Sequence, residues 1–266
     1  MALSVNTNAG AMIALQNLNK TNMAMEEVQN RINTGMKVAG AKDDGGIFAI
    51  AQRMRSQVNG YGVVRQSLDL GVSTTDVALA GGEAIGDLLI EMKEKALAAS
   101  DTSLDAASRT ALNEDFKALR DQVTTIVSNA EFNGTNLINN SVTSISALAN
   151  ADGTNTIRIS DENLSLGGGV VTLAATASFD SAGTATTLVT TIETSLDNLN
   201  QSLARIGTGS KSLEVHKNFT QSLSDALEKG IGALVDADLA KESARLQSLQ
   251  VKQQLGVQAL SIANQA

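Results

Sequence analysis

A single histidine, His216, limits the chemistry this chain can perform. A Ser-His-Asp triad would hang on that one residue, and an HExxH zinc site needs two histidines on one helix face. There is no cysteine, which removes thiol catalysis, thiolate metal ligands and disulfides. His216 lies between Val215 and Lys217 in a helical stretch, where a solvated or interfacial role outweighs catalysis. Asp43-Asp44 is an acid pair, but the EF-hand spacing is missing, and acids just ahead of a helix serve as caps or as partners of its dipole. Gly167-Gly168-Gly169 carries neither the phosphate-loop lysine nor the dinucleotide-binding spacing, so it predicts a turn. Asn133-Gly134-Thr135 and Asn218-Phe219-Thr220 fit the N-glycosylation pattern. These residues offer no catalytic, cofactor-binding or metal site.

Composition points the same way. Aromatic residues make up 2% of the 266, with no tryptophan and one tyrosine, whereas small-molecule pockets are rich in aromatic walls. The net charge of −8 opposes a phosphate backbone, so nucleic acid is not an expected partner. No run of apolar residues is long enough to span a bilayer. Proline is absent, where roughly 13 would be usual. A chain without proline can run long helices without kinks and has no slow X–Pro isomerisation during folding, which suits folding after transport.

What the sequence does carry is apolar periodicity. Ala11, Ala14, Leu18, Thr21, Met25, Val28, Ile32 and Gly35 alternate steps of three and four, a narrow seam on one helix. Gly35 fits a helix end, and residues 40–46 predict a loop. A second stripe runs from Ile47 through Ala51, Met54, Val58, Tyr61, Leu68, Val72, Thr75 and Leu79, with Gly81-Gly82 as a weak point, to Ile85, Leu89, Met92, Ala96 and Ala99. Thr102-Ser103-Leu104-Asp105 has capping-box spacing, and Leu112, Phe116, Leu119, Val123 and Ile126 follow as a third helix. Phe132 to Ile138 holds an Asn-Gly hairpin signal. From Ser141 to Thr187 the composition turns to Ser, Thr, Gly and Ala, with short alternating runs at 156–159, 164–166 and 170–173 that predict small strands. The helical period returns with Leu188, Ile192, Leu196, Leu199, Leu203, Ile206 and Leu213. Asp236 and Asp238 are candidate caps for a last helix bearing Leu239, Leu246, Leu249 and Leu260 on one face, with Val251, Leu255 and Ile262 on another.

The expected fold is mainly α: a long antiparallel, coiled-coil-like helical bundle made by the N- and C-terminal segments, with a small β-hairpin region in the centre. Three domains are expected. Residues 1–40 and 235–266 form inner core helices; 41–140 and 188–234 form a helical rod with a hairpin; 141–187 form a short, surface-exposed segment with small strands. Ala11, Ala14, Leu18, Met25, Val28, Ile32, Leu239, Leu246, Leu249 and Leu260 are the candidate subunit-interface residues. Ile47, Met54, Val58, Leu68, Leu112, Phe116, Leu119, Leu196, Leu199, Leu203 and Ile206 are the candidate rod core. A folded-back pair of such helices leaves apolar seams along the terminal segments, and these are expected to order against other subunits.

The motifs resemble bacterial flagellin. Val5-Asn6-Thr7-Asn8 with its Ala/Leu/Asn-rich helix is similar to the family's start, as is Arg31 to Lys37 leading into the stretch Ala41 to Met54 (AKDDGGIFAIAQRM). Glu131-Phe132-Asn133-Gly134-Thr135 is similar to its Phe-Asn-Gly turn, and Leu255 to Gln265 to its last helix. The likeness covers about residues 3–138 and 188–266. It implies an extracellular filament subunit for motility with no enzymatic activity, exported unfolded by a type III route without a cleaved signal peptide. The first residues, MALSVNTNAG, indeed lack a basic segment followed by an apolar one. It also implies self-association into a helical homopolymer, with paralogous subunits where these exist, and contact with the export apparatus, a cytoplasmic chaperone, and the hook-associated junction and cap proteins. A hook–filament junction protein shares these terminal motifs and is the alternative.

Two departures stand out. The family pattern continues past Ala263-Asn264-Gln265 with a proline and a short apolar tail, while the sequence stops at Ala266; this would bear on export and core packing. The segment similar to the family's innate-receptor patch holds Leu89, Glu91, Lys93 and Glu94, with Glu91 where recognised flagellins carry an arginine. The charge reversal implies weak receptor recognition.

Overall fold

The computed structural model describes residues 8–265. The Val5-Asn6-Thr7 part of the amino-terminal motif lies outside them. Five helices and one two-stranded sheet follow in the order α1 (Ala9–Thr34), α2 (Gly45–Ala99), α3 (Ala106–Asn129), β1 (Ser144–Leu148), β2 (Thr156–Ser160), α4 (Ala182–Val235) and α5 (Leu239–Gln265). The 55 residues of α2 amount to about 80 Å of helix at the usual rise. Packing divides the chain into two units, one made of residues up to Val58 together with those from Asp225 onward, the other of Asn59–Ser224.

In the first unit α1 and α5 run antiparallel. The Asn8 side chain caps α1 through the Ala11 N–H at 3.1 Å and donates to the Ala263 carbonyl at 2.6 Å. Gln253 donates to Asn22 at 2.8 Å. Gly35 ends α1 in the left-handed conformation, and Ala237 N–H donates back to its carbonyl at 2.9 Å. Val38, Ala51 and Val235 form a small core here, with Ile47, Phe48, Ile231 and Leu234 against it. Of the two loop acids only Asp44 is a cap, taking the Ile47 N–H of α2; Asp43 instead braces the loop by accepting from the Ala39 and Gly40 N–H groups, all at 2.9 Å. Of the two candidate caps for α5, Asp238 does the work, accepting from Ala240 and Lys241, while Asp236 pairs its backbone with Met36.

The second unit holds the thick core. Ile85, Leu89, Met92, Ala96 and Ala99 of α2 meet Phe116, Val123 and Val127 of α3 and Ile192, Leu199 and Ile206 of α4 in one buried cluster. Gly81-Gly82, which weaken α2 in the sequence, are what allow this. A Cβ on Gly82 would overlap the Leu203 side chain, and one on Gly81 would press on Ala130 and Ile138. The helix gives up some propensity for close approach.

Three sequence expectations need correction. The capping box at 102–105 is not used. Residues 101–104 turn instead, with Asp101 taking the Ser103 N–H and hydroxyl, and Asp105 alone caps α3 through Ser108. Arg109 fixes that turn by donating to the carbonyls of Ala99, Asp101 and Leu104. Secondly, 164–166 and 170–173 form no strands. β2 does form, and its partner is β1 in antiparallel register from Ser144↔Ser160 to Leu148↔Thr156. Thirdly, the segment 141–187, expected as a short surface-exposed segment with small strands, also supplies core side chains. It buries Ala147, Ile159, Leu164, Val171, Leu173 and Phe179, and its last residues, from Ala182, already belong to α4. Phe179 meets Phe116 edge-on, with ring centroids 5.2 Å apart. Apolar side chains in a polar stretch pack as readily from irregular backbone as from a ladder.

Candidate assembly surfaces

Two kinds of apolar residue line the terminal helices. Those with the heptad spacing are, apart from Leu239, covered within the chain. Val28 and Leu249 are buried; Ala11, Ala14, Leu18, Met25, Ile32, Leu246 and Leu260 are half-buried; Leu239 is exposed. Leu18 packs over Gly256, so a seam of small and branched residues closes α1 on α5 of the same molecule. The second kind points outward. Met12, Ile13, Leu15 and Met23 of α1 and Val251, Leu255, Val257 and Ile262 of α5 are about half to two-thirds exposed, Met23 at 69% and Ile262 at 68%. This outward set is a large apolar area for a soluble chain, and patches of that kind mark interaction surfaces. The heptad rule found the seam. Of the outward set the periodicity grouped Val251, Leu255 and Ile262 on a second face of the last helix; the fold adds Met12, Ile13, Leu15, Met23 and Val257 and shows the whole set uncovered.

A partly buried ion pair fastens the base of this pair of helices. Glu242, in the first turn of α5, is nearly buried and accepts from Arg31 at 3.3 Å, while Arg31 also reaches Glu27 at 2.5 Å. The second carboxylate oxygen of Glu242 has no partner.

Of the candidate rod-core residues, Leu68, Phe116, Leu199 and Ile206 are fully buried, and Ile47, Met54, Val58, Leu112, Leu119, Leu196 and Leu203 are half-buried. In the receptor-like patch, Leu89 is fully buried and belongs to the core rather than to any surface. Glu91 and Glu94 are exposed, and Lys93 is paired with Glu193 at 2.8 Å.

The groups singled out for chemistry have structural employment. His216 Nε2 lies 2.7 Å from the Ala149 carbonyl and therefore donates to it, tying α4 to the end of β1. Among the described residues, no group of three His, Cys, Asp or Glu side chains is placed to hold a metal ion, and no helix is long and apolar enough to cross a membrane. The Asn133-Gly134 pair turns with both φ angles positive and closes a bridge between Phe132 and Thr135. One acid has an unusual setting: burial pushes the Asp161 carboxyl up to about 6, against the Asn140 backbone N–H that favours its charge, and the neighbouring Glu162 adds to the rise. Its Oδ1 is buried without a partner. Glu162 is held below the usual carboxylate range, chiefly by the Arg205 fork at 2.6 Å through both oxygens.

Comparison with known proteins places this arrangement. Residues 5–143 match the bacterial flagellin N-terminal helical region and residues 189–266 the bacterial flagellin C-terminal helical region. Flagellin FljM of Caulobacter vibrioides is 54% identical over all of this chain and 97% of its own length. A flagellin of Brucella melitensis is 35% identical over 98% of this chain and 95% of its own. The crystal structure of Bacillus cereus flagellin shares the fold, with a TM-score of 0.51 and 21% identity over 58% of this chain and 88% of that one.

Proposed function

We propose, from the premise that this chain belongs to the bacterial flagellin family and is a non-enzymatic subunit of the extracellular flagellar filament, a division of labour among its apolar residues. The helices of residues 1–40 and 235–266 form the innermost layer of the polymer. Residues 41–140 and 188–234 form the next, and 141–187 lie outermost. The heptad seam, Ala11 to Ile32 with Leu246, Leu249 and Leu260, holds α1 to α5 and sets their register. The outward residues, Met12, Ile13, Leu15, Met23, Val251, Leu255, Val257 and Ile262, join Leu239 in contact with neighbouring copies.

The carrying observation is that these large side chains stay exposed on helices whose seam is already closed. Burying them releases water from apolar surface and supplies the drive for association. Contacts between unlike patches do not close, so they propagate a helix of subunits. Export apparatus, cytoplasmic chaperone, junction and cap proteins would meet the same apolar faces before or at the ends of the polymer, since those faces are free only there.

The charge at Glu91, exposed on α2, supports weak recognition by a vertebrate receptor built for a cation at that place. A cell reporter titrated with this protein is expected to respond feebly, and full potency would refute the reading. The assembly proposal is tested by adding purified protein to short filament seeds. Elongation is expected, and Leu255→Asp with Ile262→Asp should abolish it while helix content is retained. Undiminished growth by that variant would remove the outward residues from the interface.

A further inference from the structure

We propose that Asn133 is a site of spontaneous covalent modification. The backbone nitrogen of Gly134 attacks the Asn133 side-chain amide, and the turn they form becomes an aspartate or isoaspartate turn. The reaction consumes one water, releases one ammonia and needs no enzyme, metal or oxidant.

The step is a ring closure. The Gly134 nitrogen gives its proton to a solvent base and bonds to Cγ of Asn133. The Cγ–Nδ2 bond breaks, and the amide nitrogen takes up a proton and leaves as ammonia. Water then opens the five-membered imide at either carbonyl. Attack at one restores the backbone as aspartate; attack at the other routes it through the side chain as isoaspartate. Closure is favoured by a nitrogen with no side chain to shield it, by an N–H that no acceptor holds, and by a backbone that can rotate about Asn133.

The sequence holds two Asn-Gly pairs, and the fold treats them differently. Asn133 and Gly134 are both exposed, and a Cβ on Gly134 would meet nothing within 4 Å, so the space around the nucleophile is open. Among the described residues, neither the Asn133 side chain nor the Gly134 N–H has a hydrogen-bond partner. Two bonds hold the turn: the Phe132 N–H donates to the Thr135 carbonyl at 2.9 Å, and the Thr135 N–H to the Phe132 carbonyl at 3.0 Å. Asn133 itself sits at φ 50, in the sparsely populated left-handed region.

Asn59-Gly60 is the same dipeptide inside α2. There the Gly60 N–H is committed to the helix ladder, so the ring closes only if the helix opens. A Cβ on Gly60 would stand 2.7 Å from that of Ala151, so the connection between β1 and β2 packs directly on this backbone. Opening a two-bond turn costs little, while opening the middle of a packed helix costs a large share of the unfolding free energy.

The product has a defined effect. Asn133 lines a cleft of about 360 Å³ together with Ser67, Leu70, Thr74 and Val142, and no charged side chain lines it. Conversion places a carboxylate there and adds one negative charge to a chain of net charge −8. Isoaspartate also lengthens the turn by one backbone atom, which breaks the two-residue geometry that pairs Phe132 with Thr135. The change stops at Asn136, which is buried; its Nδ2 donates to the Val127 carbonyl at 2.7 Å and its Oδ1 accepts the Ile138 N–H at 2.9 Å.

The test is incubation of the purified full-length protein at neutral pH, with peptide mass mapping over time and isoaspartyl methyltransferase labelling of the β-linked product. Asn133 should exchange amide for acid at least about tenfold faster than Asn59, and in guanidinium chloride the two rates should converge. Asn133 no faster than Asn59 in the folded protein would overturn the proposal. So would a ratio that persists in denaturant, since flanking sequence rather than the fold would then set it. Asn133→Gln, whose longer side chain closes a six-membered ring slowly, should keep its amide under the same conditions; loss at the parent rate would exclude attack by Gly134. In the converted fraction, separated by anion exchange, the Thr135 N–H should exchange with solvent faster than in the parent. Equal exchange would overturn the predicted loss of the bridge.

Discussion

The two units handle one sequence habit in opposite ways. In Asn59–Ser224 the apolar stripes of α2, α3 and α4 find enough partners within the chain, and the segment before α4 adds Leu164, Val171, Leu173 and Phe179 to complete the core. In the other unit α1 and α5 have only each other along most of their length. Two helices can close one seam but cannot cover two faces each, so Met12, Met23, Leu255 and Ile262 remain in water. A heptad pattern thus specifies that a helix needs a partner; the number of helices available decides how much of its apolar surface is left for another molecule.

The contrast is broken most directly through the thick core. Phe116→Ala removes a fully buried ring and its edge-on contact with Phe179, and should cost about 3–5 kcal/mol of monomer stability. Chemical denaturation followed by circular dichroism would measure it. A change under about 1 kcal/mol would mean that this core is not what holds the unit together. Leu255→Asp, placed in the other unit, should do the reverse. It touches an exposed side chain, so monomer stability should shift by less than about 0.5 kcal/mol. Elongation of seeds should weaken roughly 10- to 100-fold, the scale of one buried leucine. If the monomer melted markedly earlier, the outward face would be part of the subunit's own fold.

Much of this was legible in the residues. The steps of three and four located every long helix, and Gly35 and Asp238 marked their ends through known cap chemistry. The chemistry-bearing residues were also legible as structural, since one histidine and no cysteine leave little else. β1 was not. Ser144-Ile145-Ser146-Ala147-Leu148 is a weak strand by itself, and it is fixed by non-local partners: β2, the Ser67 hydroxyl that accepts the Leu148 N–H, and Gly71 of α2, which leaves room for Ala147. Nor could periodicity assign a stripe to its own chain or to a neighbour, because both demand the same spacing. Leu89 shows the cost of arguing from a motif alone: the resemblance grouped it with an expected surface patch, yet its side chain is core.

A smaller effect sharpens the comparison at the base of α1 and α5. Glu242 is nearly buried, and Arg31 is the cation beside it. Arg31→Ala leaves that carboxylate without a charged partner, and should cost about 1–3 kcal/mol in the thermal unfolding of the terminal helices. Glu242→Gln keeps the shape and removes the charge that has one unpaired oxygen, so it should cost less than Arg31→Ala. Equal losses would show that the pair acts through packing alone.

The smallest effect concerns pH and belongs to the thick unit. Asp161 sits where β2 ends; its backbone N–H donates to the Thr143 carbonyl, and its carboxylate accepts from the Asn140 N–H, a residue held at φ 60. Burial raises the folded carboxyl to about 6, above the ordinary value of 3.8. A raised carboxyl binds its proton more tightly in the folded state than in the unfolded one. The contribution of Asp161 therefore grows more favourable as pH falls through about 6 and levels off below 3.8. Glu162, lowered by Arg205, acts in the opposite sense and below this window, losing its contribution as pH drops beneath the usual carboxylate range. Asp161→Asn removes the ionisation but keeps an oxygen for the Asn140 N–H. It should raise the thermal midpoint modestly at pH 7 and leave it almost unchanged at pH 4. The difference between variant and parent, plotted against pH, should fall between 7 and 4. A flat difference across that range would mean that the buried Oδ1 meets enough water to ionise as an exposed aspartate does, and the junction of β2 with the preceding loop would then be looser than the burial of this atom implies.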